Sequence, residues 1–324
     1  MAGFLPDQTD PLRIAVLAGG ESHERAVSLE GGAAVAAALE QQGHRVTRID
    51  PADANAASIS WNSFDVVFPV LHGQFGEDGT IQQILERANV PFVGSDSETS
   101  RLAFSKSASK ERFLTSSVPT PPYVLIHESD EATRIEQVVR QIGYPLVVKP
   151  DTQGSSLGVT IVESPQELPA ALTRSFHYDP FALMETAIEG TEWTVGLFDD
   201  RVLPPIQIEP AGPFYDYRAK YQDNATAYHF EFPLPTNAIK SIEEIGRRAA
   251  ESLRTRGLAR VDLRLDRQQQ PWVLEVNTIP GMTEHSLIPK AAERIGMNLG
   301  ELCEQVVRSS ITTASRQRTA TRTK

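Results

Sequence analysis

The stretch ARVDLRLDRQQQPWVLEVN, residues 259–277, decides the fold class of the region around it. It holds two apolar runs with the length of strands, residues 259–265 and 272–277,. The short polar turn between them predicts an antiparallel hairpin. Because side chains at every second position of a strand share a face, charged side chains are expected to gather on one side of this hairpin,.

One face of the hairpin is predicted to hold Asp262, Glu275 and Asn277 together. Arg260 lies on the same side of the first strand as Asp262, and Val273 is predicted to share the face of Glu275 and Asn277. Two carboxylates and an amide oxygen are hard ligands that suit Mg²⁺ beside phosphate oxygens,. The alternative is an ordinary solvated sheet face with scattered charges, and these residues alone do not separate the two.

Upstream, short strands alternate with helices. The apolar run 12–18 stops at Gly19-Gly20, and an amphipathic stretch, residues 27–42, ends at Gly43,,. Further strands are predicted at 45–49, 65–71 and 91–93, with a helix at 80–89. This alternation predicts an α/β unit built on a parallel sheet with both faces covered,.

The pattern changes after residue 104 to a small α+β unit. Strands are predicted at 146–149, 159–162 and 181–185, and helices at 106–116 and 166–176. Strands at 193–198 and 202–209 and a helix at 239–255 then lead into the hairpin, and two helices surround Asn298. The predicted domains are residues 11–104, 105–190 and 191–311, between disordered ends at 1–10 and at 312–324, the second of them basic,.

Composition sets limits on the class of protein. With 324 residues, of which 40% are hydrophobic, the chain can bury sizeable cores in two or three domains,,. A net charge of -11 argues against nucleic acid as a partner,. The single cysteine, Cys303, excludes an internal disulfide framework, and we see no signal peptide or membrane-spanning run,. A cytoplasmic protein is expected.

Two polar features near strand ends carry further candidates. The loop Gln153–Gly158 follows Lys149, and its glycines and hydroxyls could surround a phosphate,. It matches neither a Walker nor a dinucleotide-binding pattern, and a plain hairpin turn is the alternative,. Glu24 precedes a helix, where it either stabilises the helix dipole or binds a substrate ammonium.

Three more segments contain candidate site residues, and the first two of them also have a structural interpretation. His72 sits at the carboxyl end of a predicted strand, where α/β sheets bind ligands, although an isolated histidine is often structural. The long segment from 212 to about 232 carries Tyr215, Tyr217, Lys220 and Tyr221, and reads as an active-site lid or as a loop anchored by its tyrosines,. Residues 280–287 end at a helix start that could attract a carboxylate.

Six segments, taken in order, resemble the D-alanine–D-alanine ligase family of the ATP-grasp superfamily, from about residue 12 to 310. They are GGESHERAVSL at 19–29, LHGQFGEDGT at 71–80, VVKPDTQGSSLGV at 147–159, FYDYRAKY at 214–221, ARVDLRLD at 259–266 and LEVNTIPGMTEHSL at 274–287. The resemblance implies an ATP-grasp architecture with an N-terminal Rossmann-like parallel sheet, a central lid subdomain and a C-terminal antiparallel-sheet domain.

The resemblance also implies a site for ATP between the central and C-terminal sheets. It assigns to the nucleotide Lys106, Lys149, Ser155, Ser156, Glu185, Thr186, Ile188, Glu192, Lys220 and Asn277. Two Mg²⁺ ions, replaceable by Mn²⁺, would be held by Asp262, Glu275 and Asn277. Thr186 is a departure, because many relatives carry Lys there; we expect a modest effect on nucleotide affinity.

For the amino-acid substrates, the resemblance implies that Glu24 binds the first ammonium and that His72 lies nearby. Ser286 and the N–H of Leu287 would bind the carboxylate of the second D-alanine. Arg260 and the N–H of Gly281 would stabilise the oxyanion. Catalysis would depend on Glu24, Ser155, Tyr221, Arg260 and Gly281, and the first three are expected to hydrogen-bond together and hold the lid shut.

The implied reaction is ATP-dependent formation of D-alanyl-D-alanine through D-alanyl phosphate, for cell-wall peptide synthesis, by a homodimer. Two alternatives stay open: a ligase whose acceptor is D-serine or D-lactate, and an inactive ATP-binding regulatory protein on the same fold. Tyr221 favours an amine acceptor, because relatives that make D-alanyl-D-lactate tend to lack it. The base is open between substrate phosphate oxygens and the Ser155–Tyr221 network.

Overall fold

The computed structural model describes residues 10–212, residue 215 and residues 225–322. Residues 1–9 of the N-terminal segment predicted to be disordered, and the predicted site residues Lys220 and Tyr221, lie outside the described residues.

The first sheet is parallel, as predicted. Its strands are β1 (Arg13–Ala18), β2 (Arg45–Ile49) and β3 (Val66–Val70), in the order β2-β1-β3. Helix α1 (Arg25–Gln41) connects β1 to β2. The predicted fourth strand at 91–93 is reduced to a single parallel bridge between Val67 and Phe92.

Short helices complete this part of the chain. Two single 3-10 turns, Ala56–Ser58 and Trp61–Ser63, precede β3. Helix α2 (Thr80–Arg87) and helix α3 (Ser97–Phe104) follow it. Apolar side chains cover both faces of the first sheet, as expected for parallel strands,.

The second sheet is antiparallel and has the order β4-β7-β5-β6. Its strands are β4 (Tyr123–His127), β5 (Leu146–Pro150), β6 (Thr160–Val162) and β7 (Phe181–Thr186). The accompanying helices are α4 (Lys106–Thr115), α5 (Ala132–Ile142) and α6 (Leu168–Phe176). The sequence pattern did not predict β4 or α5: β4 lies at the sheet edge directly after a proline cluster, and α5 buries only Val138,.

The third sheet is antiparallel and contains the hairpin. Its main path is β11-β10-β8-β12-β13, with β9 paired to β8. The strands are β8 (Gly190–Phe198), β9 (Arg201–Val202), β10 (Ile206–Glu209), β11 (Ala227–His229), β12 (Leu258–Asp266) and β13 (Pro271–Asn277). The single strand predicted at 202–209 is split, because Pro204 and Pro205 have no N–H to donate to a ladder,.

A bulge in the hairpin changes the side-chain alternation of β13. Asp262 pairs with Glu275, but Leu263 pairs with Val273, so Leu274 is the extra residue,. Val273 therefore packs in the apolar core with Leu263. The prediction that Val273 shares the face of Glu275 and Asn277 is wrong for this reason.

Helix α7 (Thr236–Leu253) covers one face of the third sheet, and α8 (Leu287–Glu293) and α9 (Leu299–Arg322) follow the hairpin. The expectation of a disordered tail is wrong for residues 312–322, which continue α9. This segment contains no proline or glycine to end a helix, and the Thr312 and Ser315 hydroxyls bond back to carbonyls four residues earlier,.

One apolar core joins the first and third sheets. It includes Ile14 and Phe68 of the first sheet, Phe198 and Ile206 of the third, and Leu302 of α9. The second sheet has a separate core with α5 and α6. This shared core therefore fixes the position of the first sheet relative to the third sheet, and with it the position of the polar side chains at their strand ends. No helix among the described residues is long and apolar enough to cross a membrane.

Candidate active site

The polar face of the hairpin brings together the three predicted metal ligands. Arg260 pairs with Asn277 and Asp262 with Glu275 in the β12–β13 ladder. The Asn277 amide donates to Asp262 Oδ2 over 3.2 Å, and the Thr194 hydroxyl donates to Asp262 Oδ1 over 2.7 Å. The predicted proximity of these side chains is confirmed.

Cations of the protein compensate both carboxylates of this face. Arg260 donates two hydrogen bonds of 2.9 Å to the Asp262 carboxylate, and Lys106 Nζ lies 3.6 Å from Glu275 Oε2. Among the described residues no three His, Cys, Asp or Glu side chains form a ready-made metal cluster. Two carboxylates and one amide oxygen fit a Mg²⁺ ion that takes its other ligands from water and phosphate.

A cavity opens between the second and third sheets, next to the two carboxylates. Its lining contains seven of the residues predicted to contact ATP: Lys106, Lys149, Ser156, Glu185, Thr186, Ile188 and Glu192. It also contains apolar residues that the sequence pattern did not assign to the site: Val147, Val159, Ile161 and Leu274. Leu274 reaches the cavity because it is the bulged residue of β13.

Two lysines share one buried carboxylate at the wall of this cavity. Lys149 Nζ lies 2.6 Å from Glu185 Oε1, and Lys110 Nζ lies 2.9 Å from Glu185 Oε2. Burial raises the pKa of the Glu185 carboxyl, but the charges of Lys110 and Lys149 outweigh it and the net shift is downward,. Burial lowers the pKa of Lys110 to about 8, against the opposing effect of Glu185. Lys149, predicted to contact phosphate, is held here by Glu185.

The glycine and serine loop after β5 has a sharply curved backbone. Ser155 and Ser156 both take positive φ angles, 53° and 59°, which are uncommon for residues other than glycine,. The Ser156 hydroxyl donates to the Tyr215 carbonyl over 3.0 Å, and Lys106 Nζ donates to the Gln153 carbonyl over 2.5 Å. The loop is therefore anchored from several elements and is not a simple hairpin turn.

Ser155 links this loop to the first sheet. Its hydroxyl donates to Glu24 Oε1, and both side chains are buried. Glu24 stands at the N-cap position of α1, yet its side chain caps no helix N–H. A capping hydrogen bond therefore does not explain Glu24, and the carboxylate points at the loop instead.

The comparisons with known proteins agree over almost the whole chain. Residues 113–308 match the family model described as D-ala D-ala ligase C-terminus, and residues 49–95 match D-ala D-ala ligase N-terminus. The chain is 41% identical over 295 residues to a D-alanine–D-alanine ligase of Syntrophotalea carbinolica, covering 91% of this chain and 95% of the relative.

Solved structures show the same likeness. A crystal structure of the D-alanine–D-alanine ligase from Bacillus anthracis superposes with a TM-score of 0.84 and 32% identity, covering 95% of this chain and 99% of that one. The same ligase complexed with ATP gives 0.83 and 29%, with the same coverage. This chain belongs to the D-alanine–D-alanine ligase family.

Membership confirms the predicted fold class. The parallel N-terminal sheet and the two antiparallel sheets are the ATP-grasp architecture of the D-alanine–D-alanine ligases. In this chain the cavity lies between the second and third sheets, where the sequence resemblance put the nucleotide.

The D-alanine–D-alanine ligase motif LHGQFGEDGT contributes two buried titratable groups. Burial lowers the pKa of His72, with Glu24 opposing and Arg260 reinforcing this shift, so the imidazole is neutral at pH 7. Within the described part of the chain its Nε2 atom has no hydrogen-bond partner. Burial, and then the charge of Glu24, raise the pKa of Glu77 to about 8, although the Gly73 N–H donates to it over 2.7 Å.

The segment after β13 has a tight turn. A Cβ atom at Gly281 would lie 2.7 Å from Ser286 Oγ, so a larger residue here would displace the Ser286 hydroxyl. Ser286 stands directly before α8 and accepts a hydrogen bond of 2.9 Å from the Thr283 N–H. Ser286 and Leu287 thus stand at the start of α8, and their assignment to the second substrate's carboxylate stays a prediction.

Sequence reasoning missed Lys110, Glu77 and Leu274. Lys110 lies one helical turn after Lys106 in a polar stretch, KSASK, which reads as a solvated helix face. Glu77 lies inside the motif LHGQFGEDGT, where nothing in the local pattern distinguishes its carboxylate from that of a solvated loop residue. Only the bulge brings Leu274 to the cavity, and no residue in β13 signals it.

Proposed function

We propose that this chain is an ATP-dependent ligase that joins two D-alanine molecules into D-alanyl-D-alanine. One observation carries the proposal. Glu24, a buried carboxylate suited to an ammonium, is joined through Ser155 to the loop of a cavity whose other wall bears Asp262 and Glu275. A carboxylate that could bind the ammonium group of an amino acid thus lies beside side chains that could bind phosphate and metal. The family membership supports the same reaction.

In the first half-reaction a carboxylate oxygen of D-alanine attacks the γ-phosphorus of ATP. The new O–P bond forms as the bond to ADP breaks, giving D-alanyl phosphate with a good leaving group. Glu24 holds the ammonium of this substrate, with neutral His72 nearby. Lys106 and Lys149 neutralise the phosphates, so that catalysis is mostly positioning and charge compensation,.

Magnesium, held by Asp262, Glu275 and Asn277, would supply charge neutralisation at the phosphate oxygens. Arg260 keeps the Asp262 carboxylate oriented through its two hydrogen bonds. The proposal includes two Mg²⁺ ions, with Mn²⁺ as a substitute, because the site is made of oxygen donors only.

In the second half-reaction the amine of another D-alanine loses a proton and attacks the acyl carbonyl. The C–N bond forms, the C–O bond to phosphate breaks, and phosphate leaves. Arg260 and the Gly281 N–H stabilise the oxyanion, while Ser286 and the Leu287 N–H hold the acceptor carboxylate. The proton goes to a phosphate oxygen or to the Ser155–Tyr221 network.

Further parts of the proposal rest on the family resemblance. Glu185, Thr186, Ile188 and Glu192 would contact the nucleoside, and Lys220 and Tyr221 would close over the phosphates. The product would serve cell-wall peptide synthesis in a bacterial cytoplasm, and the active form would be a homodimer. The units 11–104, 105–190 and 191–311 would be its domains.

The test is phosphate release by the purified chain with ATP and Mg²⁺, with mass spectrometry of the products. D-alanine, D-serine, D-lactate and L-alanine are added singly and in pairs with D-alanine. Release that requires D-alanine, with D-alanyl-D-alanine as product, is expected. If only a mixed product forms, and only when a second acid is added, the acceptor is that acid and not D-alanine. ATP binding without turnover on any D-substrate would contradict the proposal and favour a regulatory protein.

A further inference from the structure

Helices α3 and α4 are joined by a single residue. Ser105 ends α3 and stands at the N-cap of α4, which begins at Lys106. The first N–H groups of a helix have no acceptor within the helix and need one from elsewhere. The Ser105 hydroxyl accepts from the Ala108 N–H over 3.2 Å. The N–H groups of Lys106 and Ser107 therefore depend on another part of the chain.

Asp151, directly after β5, provides both acceptors. Its carbonyl accepts from the Lys106 N–H over 3.1 Å. Its buried carboxylate accepts from the Ser107 N–H over 2.7 Å at Oδ1 and from the Ser105 hydroxyl over 2.8 Å at Oδ2. A negative charge is also favoured at a helix N-terminus by the helix dipole. Three consecutive residues at the start of α4 are thus bound to one residue of another element.

The side chain of Lys106 returns to the same segment of the chain. Its Nζ atom donates to the Gln153 carbonyl over 2.5 Å and lies 3.6 Å from Glu275 Oε2. An ammonium carries three protons, and these are its two contacts within the described part of the chain. One proton therefore remains for a ligand in the cavity, which Lys106 lines. Residues 151–153 hold both the backbone and the ammonium of Lys106.

The long side chain of a lysine has considerable rotamer freedom, which must be lost when it binds a ligand at one place. A fixed backbone at Lys106 reduces this cost, because its Cα atom then keeps a constant position relative to Gln153. Without the Asp151 carboxylate, the first turn of α4 loses two hydrogen bonds and can fray. Part of the free energy of binding would then be used to restore that turn.

We propose that Asp151 is a positioning residue that holds Lys106 in place for the phosphates of a nucleotide. The inference rests on the proposed function only in that the cavity binds a nucleotide with Lys106 at its phosphates. Lys106 lines the cavity and Asp151 does not. Asp151 therefore acts through Lys106 and not by contact with the ligand.

The test compares the affinities of the full chain for Mg²⁺-ADP and for adenosine, which has no phosphate, by calorimetry. Asp151→Ala is expected to lower the ratio of the two affinities roughly threefold or more, with adenosine binding unchanged. In a Lys106→Met background the same change should have little further effect, because the two side chains act as one unit. Asp96→Ala is the matched control, since Asp96 caps α3 by accepting from the Thr99 N–H over 2.9 Å. Its ratio should stay within about twofold of wild type.

Three results would overturn the inference: an unchanged ratio in Asp151→Ala, an equal fall in the ratio of Asp96→Ala, or an equal fall with and without Lys106→Met. If Asp151→Ala does not fold, Asp151→Asn replaces it in both backgrounds. Asparagine keeps an acceptor for the Ser107 N–H but loses the charge, so the ratio should fall in the wild-type background alone. A fall in both backgrounds, or in neither, would refute the role. Wild type that binds ADP but makes no dipeptide would refute the ligase reaction and leave this test intact.

Discussion

Glu24, at the start of α1, accepts a hydrogen bond from the hydroxyl of Ser155 in the loop after β5, and both side chains are buried. The two residues are 131 positions apart in the chain. This contact joins the first sheet to the loop that borders the cavity between the second and third sheets. One hydrogen bond therefore connects the part of the proposed site that would bind the amino acid to the part that would bind phosphate.

Ser155→Ala should lower kcat/KM for D-alanine more than it weakens ADP binding. A buried hydrogen bond to a charged group contributes about 1.5–3 kcal/mol, which corresponds to roughly a ten- to hundredfold loss,. Steady-state kinetics and ADP titration measure the two effects. Ser129→Ala, an exposed serine that bonds His127, is the control and should behave as wild type. An equal loss of ADP affinity would show that Ser155 serves the nucleotide instead.

Arg260→Ala should reduce kcat by on the order of a hundredfold or more, because it removes the proposed oxyanion donor and both hydrogen bonds from Arg260 to Asp262,. Arg260→Lys keeps the charge but loses the fork geometry, and should recover little of this loss. Turnover at saturating substrate and ATP affinity are measured separately. Collapse of ATP affinity with turnover intact would mean that Arg260 acts on the nucleotide.

Asp262→Asn should weaken binding of Mn²⁺ in the presence of ADP by roughly tenfold or more, because a neutral amide replaces a hard anionic ligand,. Electron paramagnetic resonance of free Mn²⁺ gives the affinity. Asp266→Asn lies on the same strand, where the carboxylate accepts a hydrogen bond of 2.9 Å from Trp272, and it should bind Mn²⁺ as wild type does. Similar losses in both variants would place the ion elsewhere.

Glu77→Gln should change the pH dependence of stability. The folded pKa of Glu77 is raised from the ordinary 4.5 to about 8. Between these values the folded chain holds a proton that the unfolded chain releases, so this contribution to stability is complete below pH 4.5 and is lost as pH rises through 8,. Glutamine stays neutral and avoids the loss.

The melting temperature of Glu77→Gln minus that of wild type should therefore grow from pH 5 to pH 9. Groups remote from Glu77 titrate alike in both proteins and cancel, whereas Glu24, whose charge acts on Glu77, titrates together with it and belongs to the same effect,. One kcal/mol corresponds to about 2–4 °C for a large domain, so we expect a widening of a few degrees. A constant difference across this range would mean that Glu77 is ionised throughout.

Cys303 should resist thiol reagents in the folded chain. Its side chain is fully buried, and burial raises the pKa of the thiol to about 12, so little thiolate forms,. A disulfide reagent should react with no cysteine under native conditions and with one per chain in denaturant. Rapid reaction of the native chain would show that α9 opens readily.

Part of the fold could be predicted because local patterns set it. Strand alternation and the polar turn predicted the β12–β13 hairpin with Asp262 and Glu275 on one face, and the structure confirms this, with the two residues paired. The alternation of strands and helices predicted the parallel first sheet. The order of six motifs indicated the family.

Other features could not be predicted, because their causes lie far away in the chain. The bulge at Leu274 reverses the direction of Val273 without any local signal. Residues 312–322 read as a polar tail, yet they continue a helix whose preceding turns pack in the core shared by the first and third sheets.

The sequence by itself determined which residues could form strands and which oxygen donors would face each other across the hairpin, because side-chain direction repeats every two residues along a strand. Only the tertiary structure decided that Lys110 is buried and that Glu24 meets Ser155. A lysine can be buried only when partners compensate its charge, and those partners, Glu185 and Thr120, come from other elements of the fold.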